Sequence, residues 1–339
     1  MITYPILKPG AVLGVTASSL GADEAHRDVF DEAVERMRQR GYRVTLGETV
    51  YKYDKARSAP GRERGTEYNQ MMQDEDIDLI IPPWGGELLI EMLEFIDFDR
   101  IRPKWVMGFS DISLLLLAIT LRTGIATAHG PSLGDLRGLK TDETTAMWQK
   151  VLSTPPGGSI VQQSSLMHEG TGEPSAEVSS YLFGQNTLTL WKTVSGQDVS
   201  LKGRLLGGCI DVIRHIIGTP YGDVQHFSSQ FAGGEPIIWY LENCELNTAD
   251  LRRSLVHMKY AGWFDNCSGI LFGRSGGNQP VLGYTAEDVY RDLAEELQLP
   301  VLYDLDFGHV PPQMTLVNGA YAEVEVINGR GTVKQYFYE

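Results

Sequence analysis

In the first half of the chain, short apolar and β-branched runs alternate with longer stretches whose apolar residues recur every three to four positions. "AVLGVTASS" reads as a strand that stops in small polar residues, and "EAHRDVFDEAVERMRQRG" as an amphipathic helix closed by Gly41. "YRVTLGETV" is the next strand. A polar, Arg-rich loop, "YKYDKARSAPGRERG", leads into a helix at "TEYNQMMQDED" and a buried-looking strand at "IDLIIPPW". "GGELLIEMLEFID" reads as helical, "KWVMGFS" as strand and "DISLLLLAITLRTG" as helix. This β-α-β-α order predicts an open parallel sheet covered by helices on both faces, a three-layer α/β domain. Ligands gather beyond the carboxyl ends of such strands, so the loops after "VTASS", "LIIPP" and "VMGF" are the ones to watch.

Between about 150 and 200 the pattern gives way to Gly, Ser, Thr and Pro with no long helix. From "KGRLLGG" onward short strands ("PIIWYLE", "SGILFGR", "AYAEVEVING", "TVKQYFYE") are interleaved with the helices "CIDVIRHIIG", "TADLRRSLVHMKYAG" and "AEDVYRDLAEELQL". The expectation is a second, β-rich α+β domain, with residues 1–165 forming the first domain and 166–339 the second. A chain of 339 residues is long enough to give each its own core.

Charge narrows the partners. Forty-four acidic against 29 basic residues give a net charge of -15, which repels phosphate backbones and anionic headgroups. Neither a nucleic-acid polymer nor a membrane surface is expected as a partner. The apolar run "ISLLLLAITL" is far short of the roughly 20 residues that cross a bilayer. The first residues lack the basic, apolar and small-residue succession of a leader. Three cysteines, Cys209, Cys244 and Cys267, form no C-x-x-C pair, and the seven histidines form no H-E-x-x-H. The expectation is a cytoplasmic protein with reduced thiols and no metal.

"VMGFSD" is where chemistry first suggests itself. Leaving a strand through Gly-Phe-Ser-Asp directly into a helix is either an ordinary capped turn or a strained corner that presents Ser110 as a nucleophile. In the second reading, the N–H of Asp111 at the helix start faces a developing oxyanion, and Gly85 or Gly86 of "WGG" lets a second N–H approach. A base and an orienting acid would come from the second half. "IIWYLENCE" carries Glu242 and Glu245 at a strand end, and "FGHVPP" holds His309 in a loop stiffened by proline. A small-ligand binder, in which "GFSD" is only a helix cap, and a cysteine hydrolase built on Cys209 or Cys244 are the competing readings.

Taken in order, "VMGFSD" after a "GG" loop, "GRLLGGCIDVIRHIIGTPY", "YLENCE" and "FGHVPPQMTLVNGAYAEV" resemble the landmarks of the LD-carboxypeptidases, the family of muramoyltetrapeptide carboxypeptidases and microcin C immunity proteins. The resemblance implies a Ser-Glu-His triad, with Ser110 as nucleophile, His309 as base and Glu242, rather than Glu245, as the orienting carboxylate. It implies no cofactor, a small peptide or peptidyl-nucleotide substrate, and a homodimer. The family's usual "R-G-G-Y-G" and "GGNL" are here "PPWGGEL" and "GGCID". The latter, with the long stretch from about 165 to 200, looks more like the microcin-immunity branch. There, aromatic residues of the long loop stack on adenine, and Phe183 and Trp191 are the matching residues; the alternative is that both simply pack against the body.

Overall fold

A computed structural model describes residues 1–170 and 183–338. Along the first half run β1 (Val12–Val15), α1 (Arg27–Gln39), β2 (Arg43–Leu46), α2 (Gly61–Gln73), β3 (Leu79–Ile81), β4 (Trp105–Gly108), α3 (Ile112–Thr123), β5 (Thr127–His129) and α4 (Met147–Leu152). The strands pair in parallel in the order β5-β4-β3-β1-β2, the open sheet that the alternation predicts. Strands buried on both faces have no reason to alternate, and β1, β3, β4 and β5 are buried at every position.

The second half contributes β6 (Ser159–Gln163), β7 (Met167–His168), β8 (Thr187–Leu188), β9 (Lys192–Thr193), β10 (Val199–Cys209), α5 (Ile210–Ile213), α6 (Val224–Gln230), β11 (Ile237–Glu242), α7 (Thr248–Tyr260), β12 (Cys267–Gly273), α8 (Ala286–Leu297), β13 (Val301–Leu305), β14 (Leu316–Asn318), β15 (Tyr321–Ile327) and β16 (Arg330–Tyr336). Its main sheet has the order β6-β16-β15-β10-β11-β12-β13-β9, with a parallel centre, β10 to β13, flanked by antiparallel strands. One strand leaves this half altogether. β14 pairs antiparallel with β5 and becomes the edge of the first sheet, Leu316 opposite His129.

α3 joins the two halves. Every residue from Ile112 to Leu121 is buried, because the helix lies between the first sheet and the elements around β10 and has no solvent face. It ends at Gly124, whose φ of 67° supplies the left-handed residue that closes a helix. Among the described residues no helix is long and apolar enough to cross a membrane.

Three local expectations are revised. The helix read in "GGELLIEMLEFID" is a 3₁₀ segment over Leu89–Phe95. The carbonyl of Leu88 accepts from Arg64 and from the N–H of Glu91, the i+3 bond of the tighter helix, while the N–H of Leu89 donates to the Asp111 carboxylate. α2 begins at Gly61, inside the stretch read as loop, because glycine there lets the helix abut the 3₁₀ segment; a Cβ would lie 2.4 Å from the carbonyl oxygen of Glu91. "CIDVIRHIIG" forms only a single α turn, α5, followed by a 3₁₀ turn over Arg214–Ile216.

Candidate active site

The corner at the end of β4 has the strained form rather than that of an ordinary cap. Ser110 has a φ of 60°, in the left-handed region that serine enters only under constraint, while Asp111 already has helical angles at the cap of α3. The side chain of Ser110 lies against Gly85, where a Cβ would sit 2.9 Å from Oγ and 3.4 Å from the N of Asp111. Glycine at 85 therefore leaves room beside the hydroxyl. Gly86, with φ of 151°, is held by a different neighbour, since a Cβ there would fall 2.3 Å from Ser19 Oγ.

Asp111 does more than cap a helix. Its carboxylate, 1% exposed, accepts from Ser19 Oγ at 2.5 Å and from Leu89 N at 2.8 Å, tying the loops after β1 and β3 to the Ser110 corner. Burial pushes its pKa up to about 6 against the opposing effect of these two donors. Arg64 reinforces the tie: its fully buried guanidinium donates to the carbonyls of Ser18 and Leu88 and pairs with Glu91 at 3.0 Å.

The candidate acid and base sit on the second half. Glu242, the last residue of β11, is fully buried, and its Oε2 lies 2.8 Å from His309 Nδ1. Gly308 allows this approach, because a Cβ there would come within 2.9 Å of Oε2. Burial alone favours the neutral imidazole, yet the Glu242 carboxylate, together with Cys244 beside it, outweighs burial and raises the pKa of His309. The same coupling, against burial, holds the Glu242 carboxyl below its ordinary range. The ring of His309 stands edge-on to Phe109 at 5.0 Å between centroids, so the base loop meets the Ser110 corner through the residue before the serine. No hydrogen bond joins Ser110 to His309 among the described residues. Such bonds commonly tighten only with substrate in place.

Sequence reasoning missed the supports of these groups. Asp211 accepts from Cys244 N, Glu245 N and Leu246 N at 3.0, 2.9 and 3.2 Å and so shapes the turn after Glu242. Asp306 and Arg274 form a buried pair at 2.7 Å, from which Arg274 reaches the carbonyl of Pro312 in the His309 loop. Asp211 lies two residues beyond Cys209 in "GGCID", and a charge in an apolar run is the available signal.

The remaining candidates fall outside this cluster. Glu245 is exposed and meets Asp211 through its backbone, so it is not the partner of His309. Cys209 is buried, and burial drives its thiol pKa well up, which opposes the thiolate a cysteine nucleophile needs. Cys244 lies at the end of no strand-to-helix corner but does neighbour His309. Trp191 corrects the aromatic-loop reading. It is 2% exposed, packs over Gly331 in the core of the second sheet, and donates its indole N–H to Asp306 at 2.7 Å, so it presents no free face to a purine. Phe183 is half-buried, and residues 171–182 of the same loop lie outside the described residues. Among the described residues no group of three or more His, Cys, Asp or Glu is placed to hold a metal ion.

With the site assembled, comparison with known proteins is decisive. The model of the LD-carboxypeptidase N-terminal domain matches residues 13–130 and that of the LD-carboxypeptidase C-terminal domain matches residues 202–324. The chain belongs to the LD-carboxypeptidase family. It is a peptidase of the carboxypeptidase type, as the ordered landmarks imply. A relative, the microcin C7 self-immunity protein MccF of Escherichia coli, is 24% identical, over 98% of this chain and 95% of its own. MccF in complex with aspartyl sulfamoyl adenosine shares the fold with a TM-score of 0.82 at 22% identity, covering 100% of both chains. The muramoyltetrapeptide carboxypeptidase from Oxalobacter formigenes shares it at 0.73 and 17% identity, covering 97% of this chain and 99% of the other.

Proposed function

We propose that this LD-carboxypeptidase is a serine enzyme that cleaves an amide bond beside a carboxylate-bearing residue, with Ser110, His309 and Glu242 as its triad. The observation that carries the reading is the pairing of a left-handed Ser110 at a strand-to-helix corner with a fully buried Glu242 bonded to His309. Ser110 Oγ attacks the carbonyl carbon while Nε2 of His309, in its neutral form, takes its proton. Glu242 holds the ring by Nδ1 and stabilises the imidazolium. The N–H of Asp111, at the positive end of α3, and that of Gly85 or Gly86 face the oxyanion. His309 then gives its proton to the leaving amine and activates the water that releases the acyl group.

For the substrate, the reading we favour is an aminoacyl or peptidyl nucleotide of the microcin C type. Its support is the full-length likeness to MccF, whose solved complex holds aspartyl sulfamoyl adenosine. The burial of Trp191 removes the aromatic stacking argument and favours a second reading, release of terminal D-alanine from a murein tetrapeptide. We further place the protein in the cytoplasm as a homodimer, on the family resemblance; light scattering of the purified protein decides the second point. The functional test offers both substrates to wild type and Ser110→Ala. Turnover of one by wild type and of neither by Ser110→Ala is expected. Turnover undiminished in Ser110→Ala, or absent from wild type with both substrates, defeats the assignment.

A further inference from the structure

His129 plays no part in the chemistry above, yet it lies beside it. It ends β5, opposite Gly108 of β4, two residues before Ser110. Its ring is 1% exposed and surrounded by aromatic edges: Tyr240 at 5.5 Å, Phe307 at 6.3 Å and Phe109 at 6.4 Å between centroids. Phe109 therefore has His129 on one side and His309 on another. Among the described residues neither ring nitrogen of His129 has a side-chain hydrogen-bond partner, and neither has Oε1 of Glu242, although the Cys209 thiol lies close enough to favour the ionised Glu242 carboxyl. Buried polar atoms without partners are uncommon in folded proteins, and a buried water with two to four polar neighbours is the usual remedy.

The strand geometry brings these atoms together. Tyr240 and Glu242 are two residues apart on β11, so they project from the same face, roughly 7 Å apart along the strand. The ring beside Tyr240 thus lies on the face from which Glu242 projects, near enough for the carboxylate to act on it electrostatically. Burial lowers the pKa of His129 to about 4, leaving a neutral ring with one N–H to donate at neutral pH.

We propose that His129 is a positioning residue for the Glu242–His309 pair, acting through one buried water that accepts its ring N–H and donates to Glu242 Oε1. Fixing Oε1 fixes the carboxylate torsion, and with it the direction in which Oε2 meets His309 Nδ1. The inference rests on the reading of Glu242 and His309 as acid and base.

Its test compares kcat and KM for wild type, His129→Phe and His129→Gln on whichever substrate wild type turns over. Phe suits the aromatic surroundings but has no N–H, whereas Gln can donate one. His129→Phe should lose about tenfold to a hundredfold in kcat, the range of a lost hydrogen bond to a charged group, with KM within about threefold. His129→Gln should recover most of that loss. Unchanged kcat in His129→Phe, a loss carried by KM alone, or no better rate in His129→Gln overturns the inference while leaving the triad intact. Absence of wild-type turnover defeats the triad reading instead. If the Phe variant does not fold, a high-resolution crystal structure of the wild type decides: an ordered water within hydrogen-bond distance of a His129 nitrogen and Oε1 is expected, and its absence overturns the inference.

Discussion

Adding one methyl group at Gly85 probes the Ser110 corner more directly than removing the serine does. A Cβ at position 85 would stand 2.7 Å from Ser110 Cβ and 2.9 Å from its Oγ. Ordinary carbon contacts begin at about 3.5 Å, so the corner would have to retreat by roughly 0.8 Å. Gly85 is not among the residues of positive φ, so alanine is tolerated by the backbone itself and the penalty falls on the contact. Misplacement of a reacting atom by about 1 Å costs on the order of a hundredfold in rate, about 2.7 kcal/mol in the barrier. Overpacking costs a further 1–3 kcal/mol or so of stability, which a thermal melt would register as a lowered but cooperative transition. The assay is kcat and KM for Gly85→Ala, beside the rate at which a serine-reactive phosphonate labels Ser110. Both rates should fall about a hundredfold. A variant within threefold of wild type in both would show that residue 85 does not abut the reactive hydroxyl, and the oxyanion geometry proposed above would fall with it.

Asp111 makes a prediction about pH. Its folded pKa, about 6, lies above the ordinary 3.8, so folding favours the protonated carboxyl. That contribution is fully present below about pH 3.8 and lost as pH rises through 6, leaving the ionised group as a burden of about 3 kcal/mol at pH 7.5. Asp111→Asn keeps the shape and stays neutral, so in urea unfolding it should exceed wild type at pH 7.5 by an amount that shrinks toward pH 4; an equal difference at both pH values would contradict this. Trp191→Phe removes the indole N–H from Asp306 and should cost about 1.5–3 kcal/mol of stability with KM for a nucleotide substrate unchanged. A tenfold rise in KM at full stability would return Trp191 to the substrate.

What could be read from the chain depended on how far apart the interacting residues lie. β1, β3 and β4 are continuous apolar runs, and α1 repeats its buried Phe30, Ala33, Val34 and Met37 at helical spacing, so the first sheet was legible. The Ser110 corner was legible as an abrupt strand-to-helix junction, and the landmarks that follow gave the family. The earlier start of α2 was not, because it depends on Glu91 and not on its neighbours in sequence. The Asp111 carboxylate and His129 owe their roles to partners 22 or more residues away and carry no local signature, and Asp211 shows only a charge in an apolar run. For Trp191 the sequence left stacking on a purine and packing against the body as alternatives, and only the distant Gly331 and Asp306 decide for packing.

The passage of β14 into the first sheet bears on when the enzyme becomes active during its own synthesis. The edge of β5 stays unpaired until residues 316–318 have been made, and the loop carrying His309 is held between β13 of one sheet and β14 of the other. A nascent chain that has completed the Ser110 corner therefore has neither its sealing strand nor the proposed base, His309, and the two lie only seven residues apart in the chain. A chain that ends before residue 316 would leave the β5 edge open and lack the partner of that edge, and an unpaired edge is a ready template for aggregation.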